Sequence, residues 1–218
     1  MMSDNYRLQF ITHCTERYSY VESARMALLG GCRWIQLRMK EAKERLFEEN
    51  ALIIQQMCKE FGATFIIDDN VLLAKKIMAD GVHLGKSDMP IPEARDILGE
   101  GFIVGGTVNS FEDILSHLPN NVPDYFGCGP FRFTSTKKNL APILGYEGYK
   151  DILRKMGNAN IRIPLIAIGG IAKGDISNLL ECGINGIALS GSILRADNPI
   201  QEMRDIVTTL NITNQQIN

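Results

Sequence analysis

Short runs of β-branched and other apolar residues alternate with longer amphipathic stretches along the whole chain, and the pattern returns about every 25 residues. The short runs, at residues 8–12, 34–38, 64–67, 81–84, 103–106, 125–127, 165–168 and 186–189, have the length and composition of strands. Between them lie amphipathic stretches at 21–29, 44–61, 71–78, 92–98, 111–117, 149–156, 175–182 and 199–210, each long enough for a crossover helix. Eight parallel strands with right-handed helical crossovers close into an α/β fold, the (β/α)8 TIM barrel, whereas a doubly wound sheet usually stops at about five to seven strands. The expected organisation is one barrel domain over residues 1–218, with the polar residues 211–218 as a frayed tail.

In such a barrel the chemistry sits in the loops after the strands, at their carboxyl ends. Asp69, in Ile66-Ile67-Asp68-Asp69-Asn70, and Asp88, closing Asp80-Gly81-Val82-His83-Leu84-Gly85-Lys86-Ser87-Asp88, follow consecutive strands. Either alone serves equally well as a helix cap. Together they suit magnesium, which prefers octahedral oxygen ligands and keeps water and substrate oxygens beside one or two carboxylates. In Gln36-Leu37-Arg38-Met39-Lys40 the period of two sends Gln36, Arg38 and Lys40 to one side. A guanidinium fork and an ammonium aimed together suit a diphosphate, against a surface salt-bridge patch with Glu41 or Glu44 as the competing reading.

Thr134-Ser135-Thr136-Lys137-Lys138 brings hydroxyl and ammonium donors into the long connection from 129 to 145, which reads as a mobile loop over the site. The seventh and eighth strands end in Ile168-Gly169-Gly170-Ile171 and Leu189-Ser190-Gly191-Ser192, where barrels bind phosphate on loop amides. His83 reads as a packed, satisfied histidine. No Ser-His-Asp or Cys-His pairing is legible, so a covalent nucleophile is not expected.

Composition narrows the picture. A length of 218 residues suits one barrel, and a net charge of -2 leaves no basic field for nucleic acid. The five cysteines are scattered, with no Cys-x-x-Cys pair, and read as buried thiols of a reducing compartment. No apolar stretch approaches the roughly 18 to 20 residues that span a bilayer, and the start lacks a signal pattern, so a cytoplasmic protein without a membrane partner is expected. Both a monomer and a homo-oligomer are left open.

With these residues assembled, the chain resembles the thiamine phosphate synthase (thiamine-phosphate pyrophosphorylase) family over nearly its whole length. The family's Gln-Leu-Arg-x-Lys stands at Gln36 to Lys40, its Asp-Gly-x-His-x-Gly-x-x-Asp at Asp80 to Asp88, and its Gly-x-Gly-Pro…Thr-x-Thr-Lys at Gly127 to Lys137, with Gly-Gly-Ile at Gly169 to Ile171. The resemblance implies a transferase of thiamine biosynthesis that joins 4-amino-2-methyl-5-hydroxymethylpyrimidine diphosphate to 4-methyl-5-(2-phosphoethyl)thiazole, both small-molecule partners, and releases pyrophosphate. It implies Mg2+ on Asp69 and Asp88, the diphosphate on Arg38, Lys40 and Lys137, and the pyrimidine side near Gln36 and Thr107. Thr134, Ser135, Thr136, Gly170, Ser190 and Gly191 are then the residues for substrate phosphate. Asp68 stands where the family usually has Asn against the diphosphate, and Thr107 and Asn109 replace a usual Ser and His.

Other classes stay in view. A thiazole tautomerase of the same superfamily depends on a histidine where this chain has Asn109. A non-catalytic thiamine-precursor binding barrel would keep the phosphate site without turnover. A sugar-phosphate isomerase or epimerase would have no use for Arg38, Lys40 and Lys137 together.

Overall fold

A computed structural model describes residues 4–120, 122–133 and 141–217, with side chains over 6–120, 122–133 and 141–211. Eight strands, β1 (Leu8–Ile11), β2 (Trp34–Leu37), β3 (Thr64–Asp68), β4 (Gly81–Leu84), β5 (Ile103–Val108), β6 (Tyr125–Cys128), β7 (Leu165–Ile168) and β8 (Gly186–Leu189), pair in sequence order. All pairs are parallel, and β8 returns to β1 to close the barrel the periodicity predicts. The crossover helices are α1 (Tyr20–Leu29), α2 (Glu44–Phe61), α3 (Val71–Ile77), α4 (Ile91–Leu98), α5 (Phe111–Ser116), α6 (Gly145–Asn158) and α7 (Ile176–Glu181). Beyond β8 come α8 (Gly191–Leu194) and α9 (Pro199–Ile217).

The period of two along each strand sorts the apolar residues into two cores. Outward positions such as Phe10, Ile35, Leu37, Phe65, Ile67, Val82 and Phe126 merge with the helices into one large cluster. Inward positions form a second, with Ile11, Trp34, Ile66, Tyr125, Ile166 and Ala188 packed inside the barrel. Trp34 meets Tyr125 edge to face at 4.8 Å, and Tyr6, from a 3-10 turn ahead of β1, meets Trp34 likewise at 5.4 Å. These large rings fit because their neighbours are small. A side-chain carbon at Gly105 would run into the phenol of Tyr125 and the ring of His83.

Several boundaries differ from the sequence reading. Asp68 belongs to β3 and Thr107 to β5, so both lie at strand ends and point as strand residues do. α6 begins at Gly145, four residues ahead of its expected start at Tyr149, because Gly145, with φ 56, turns the chain into it. The final helix runs to Ile217, past the expected end at 210, since a loss of apolar period does not itself break a helix. Of the five cysteines, all free, Cys32, Cys58 and Cys128 are buried as expected, but Cys14 is exposed and Cys182 half-buried, in loops where no core surrounds them.

Candidate active site

At the carboxyl ends of the strands opens a cavity of about 650 Å3, a usual size for a small-molecule site. Gln36, Arg38, Lys40, Asp68, Asp69, Thr107, Gly170, Ser190 and Gly191, all chosen from sequence, line it. Thr134, Ser135, Thr136, Lys137 and Lys138, with the loop expected to be mobile, lie outside the described residues apart from the loop's two ends. As the period of two requires, Leu37 and Met39 are buried in the outer core while Gln36, Arg38 and Lys40 face the cavity.

Arg38 and Lys40 turn to the next strand's carboxylates. Arg38 Nε lies 3.3 Å from Asp68 Oδ2, and Lys40 Nζ lies 3.3 Å from Asp69 Oδ2. The Arg38 contact is near enough for charge yet off the hydrogen-bonding direction, so Asp68 Oδ2 is buried without a hydrogen-bond partner. Burial and the neighbouring Asp69 charge raise Asp68 to about 8, against the pull of Arg38.

Asp69 stands at φ 65, a region few residues other than glycine adopt. Its N–H donates to His83 O at 2.8 Å, and the N–H of Asn70 donates to Asp68 O at 2.8 Å, which hold the turn. The turn brings the Asp69 carboxyl into hydrogen-bonding contact with Asp88. Burial, that hydrogen bond and the Asp88 charge raise Asp69 to about 6. Burial works on Asp88 in the same sense, but the Asp69 proton, the Gly85 N–H at 2.6 Å and Lys40 outweigh it and hold Asp88 below its ordinary value.

Neither acid caps a helix. Asn70 caps α3, accepting from Leu73 N at 2.9 Å, and α4 begins after Pro90 with no side-chain cap. Two carboxylates this close offer their oxygens to a divalent cation, and the donor set is hard oxygen throughout. Among the described residues no group of three or more His, Cys, Asp or Glu is arranged around a metal. Two protein carboxylates completed by substrate and water oxygens fit magnesium and do not fit zinc, which takes three or four protein ligands.

Below the acids a polar relay crosses the barrel. Gln9 Nε2 donates to Tyr125 Oη at 3.3 Å, Tyr125 Oη lies 3.0 Å from His83 Nδ1, and His83 Nε2 lies 2.9 Å from Thr107 Oγ1. Burial holds the Tyr125 phenol neutral, well above its ordinary range. His83 is satisfied, as its sequence reading expects, and also lines the cavity. Asn109 donates its amide to Gly129 O at 2.5 Å and its backbone N–H to Asp113 Oδ2 at 2.7 Å.

Across the cavity, Gly169 and Gly170 turn through φ 94 and 72 after β7, and Ser190 precedes α8. Ser190 Oγ is buried with no hydrogen-bond partner among the described residues, so it keeps bonding capacity for a ligand, while the buried Gln36 amide lies against the Tyr125 hydroxyl. Two charged cavity residues escaped the sequence reading. Arg132 follows an apolar run as Arg38 does, and that signal could have found it; Arg195 sits past a four-residue helix that no hydrophobic period reveals.

A family model described as thiamine monophosphate synthase matches residues 8–193. The chain belongs to the thiamine monophosphate synthase family. Among the relatives of this thiamine monophosphate synthase family member, thiamine-phosphate synthase from Phocaeicola vulgatus is 60% identical over 200 residues, covering 92% of this chain and 96% of that one. Thiamine-phosphate synthase from Bacteroides fragilis is also 60% identical, covering 92% and 98%. A solved structure, thiamine phosphate pyrophosphorylase from Pyrococcus furiosus, superposes with a TM-score of 0.81 at 34% identity, covering 95% of this chain and 98% of that one. The resemblance of the motifs to the thiamine monophosphate synthase family is therefore borne out over most of the chain. No helix among the described residues is long and apolar enough to cross a membrane.

Proposed function

We propose that the chain is a thiamine-phosphate synthase, a transferase that joins hydroxymethylpyrimidine diphosphate to thiazole phosphate and releases pyrophosphate. The observation that carries this reading is the division of one cavity into two ends. Carboxylates and cations gather at the ends of β2, β3 and β4, and a glycine turn with an unpartnered serine lies opposite. One end suits a diphosphate with its cation, the other a phosphomonoester.

Asp69 and Asp88 would hold Mg2+, which when bound supplies positive charge to the leaving pyrophosphate. Arg38 and Lys40, with Lys137 from the loop, bind the diphosphate. Breaking the methylene C–O bond leaves an electron-rich pyrimidine methyl cation, and the thiazole nitrogen supplies the electron pair of the new C–N bond. No protein nucleophile or base is needed, in keeping with a site that lacks a triad. Gln36 and Thr107 face the pyrimidine, with Thr107 held by His83. Catalysis then rests on aligning two substrates and excluding water.

The tautomerase reading needs an acid or base after β5, and Asn109 offers neither. Pyrophosphate release tests the proposal: purified protein, both substrates, with and without magnesium. The expected result is release that requires both substrates and the metal, with an equal yield of thiamine phosphate. Binding of both substrates without release would make the chain a binding barrel.

A further inference from the structure

A clasp ties the end of β6 to the turn after β7. Phe131 N donates to Ile168 O and Arg132 N to Gly169 O, both at 2.9 Å, so the chain leaving β6 runs beside that turn. The Arg132 guanidinium then reaches across it. Nη1 donates to Gly170 O at 3.2 Å and to Asp175 Oδ2 at 2.9 Å, and Nη2 donates to Asp175 Oδ1 at 2.8 Å.

Asp175 is buried, at 8% exposure, and its other contacts complete the clasp. Oδ2 accepts from Ala172 N at 2.9 Å, and Oδ1 accepts from the Tyr146 hydroxyl of α6 at 3.2 Å. Phe131 packs on Tyr146 at 5.0 Å, and the Arg132 guanidinium stands 4.8 Å over the Phe131 ring. Two successive left-handed glycines give the Gly169–Gly170 turn little conformational preference of its own, so its shape depends on outside ties. The turn also lies against the clasp: a side-chain carbon at Gly170 would stand 2.9 Å from both Arg132 O and Phe133 O.

We propose that Arg132, locked by Asp175, is a positioning residue that shapes the Gly169–Gly170 turn and so sets affinity for the phosphate-bearing co-substrate, without binding that phosphate itself. The inference rests on the proposed placing of the thiazole phosphate at this turn. Although Arg132 lines the cavity, its fork is engaged by Asp175, and turning it toward a ligand would strand a buried carboxylate. The clasp also lets one loop report the shape of the other, because Arg132 bonds the turn through both backbone and side chain.

Steady-state kinetics and calorimetric binding of thiazole phosphate test this with Arg132→Ala, Asp175→Asn and the double variant. Each single change is expected to raise KM and Kd for thiazole phosphate about tenfold, with KM for the pyrimidine diphosphate within about twofold, the scale of one charged hydrogen-bonded pair. The double variant should be no worse than the poorer single one, because both remove the same clasp. Arg132→Lys, which keeps the charge and loses the fork, should reproduce the split if Arg132→Ala folds poorly.

A rise with Arg132→Ala but none with Asp175→Asn would make Arg132 a direct phosphate ligand and overturn the proposal. Equal rises in both KM values with a lowered melting temperature would reduce the clasp to a structural contact. Wild-type protein that binds thiazole phosphate, with variants that bind it as well, would overturn the clasp alone. Wild-type protein that neither turns over nor binds thiazole phosphate would overturn the functional reading and the clasp with it.

Discussion

Asp69 and Asp88 place two carboxylates in hydrogen-bonding contact, an arrangement that costs stability unless a proton or a cation lies between them. Asp69→Ala and Asp88→Ala are each expected to lower magnesium-dependent kcat/KM by about 10²- to 10⁴-fold, the scale of losing charge stabilisation at a leaving group, while the melting temperature holds or rises. Pyrophosphate-release assays and thermal melts check this, and full activity in either variant would remove that residue from the proposed metal site. Tyr125 is a different case, because its hydroxyl meets both Gln9 and His83 inside the barrel. Tyr125→Phe should cost about 1–3 kcal/mol in urea unfolding, since it strands buried partners, and should raise KM for the pyrimidine as Thr107 loses its support. Asp175 carries a pH signature. Arg132, Ala172 N–H and Tyr146 hold its carboxyl below the ordinary value against burial, so its stabilising effect is full above the unfolded pKa near about 4 and fades as pH falls through the lower folded value. Wild type should be more stable than Asp175→Asn at neutral pH, and the gap should close in acid; a gap that stays constant down to acid unfolding would contradict the ion pair.

At the scale of elements, the strands work by giving alternate positions to different tasks. On β4, Val82 and Leu84 pack outward against helices while His83 points in to Tyr125 and Thr107. On β5 and β6, Gly105 and Gly127 leave the room that His83 and Tyr125 occupy. Gly105→Ala should therefore destabilise by about 1–3 kcal/mol through overpacking, read as a lower urea midpoint with an unchanged slope. Gly99, with no neighbour near its missing side chain, offers no such contact, although its φ of 81 still disfavours a side chain. Existence and order of the strands were readable from the apolar runs, because each strand is buried on both faces and the crossovers are amphipathic. Their ends were not. Asp68 and Thr107 are polar residues that complete β3 and β5, and only pairing to the next strand, Asp68 with His83 and Thr107 with Gly127, shows that the ladder continues through them.

The whole molecule is a closed ladder around an aromatic plug, and closure is what brings distant residues together. Trp34 is fully buried between Tyr6 and Tyr125, so Trp34→Ala should cost about 3–5 kcal/mol, measured by urea unfolding, with loss of packing inside the barrel rather than at the helices. A loss below about 1 kcal/mol would mean that the interior collapses around the gap. By itself the sequence determined the eight-fold alternation, the side to which Gln36, Arg38 and Lys40 point, and the motifs of the family, because local period and residue type suffice for these. Only the tertiary structure decided that Arg38 meets Asp68, that Asp69 meets Asp88 instead of capping α3, and that Arg132 is claimed by Asp175. Those pairings join residues 19 to 43 positions apart, and their energies depend on burial and direction, which arise only once the barrel has closed.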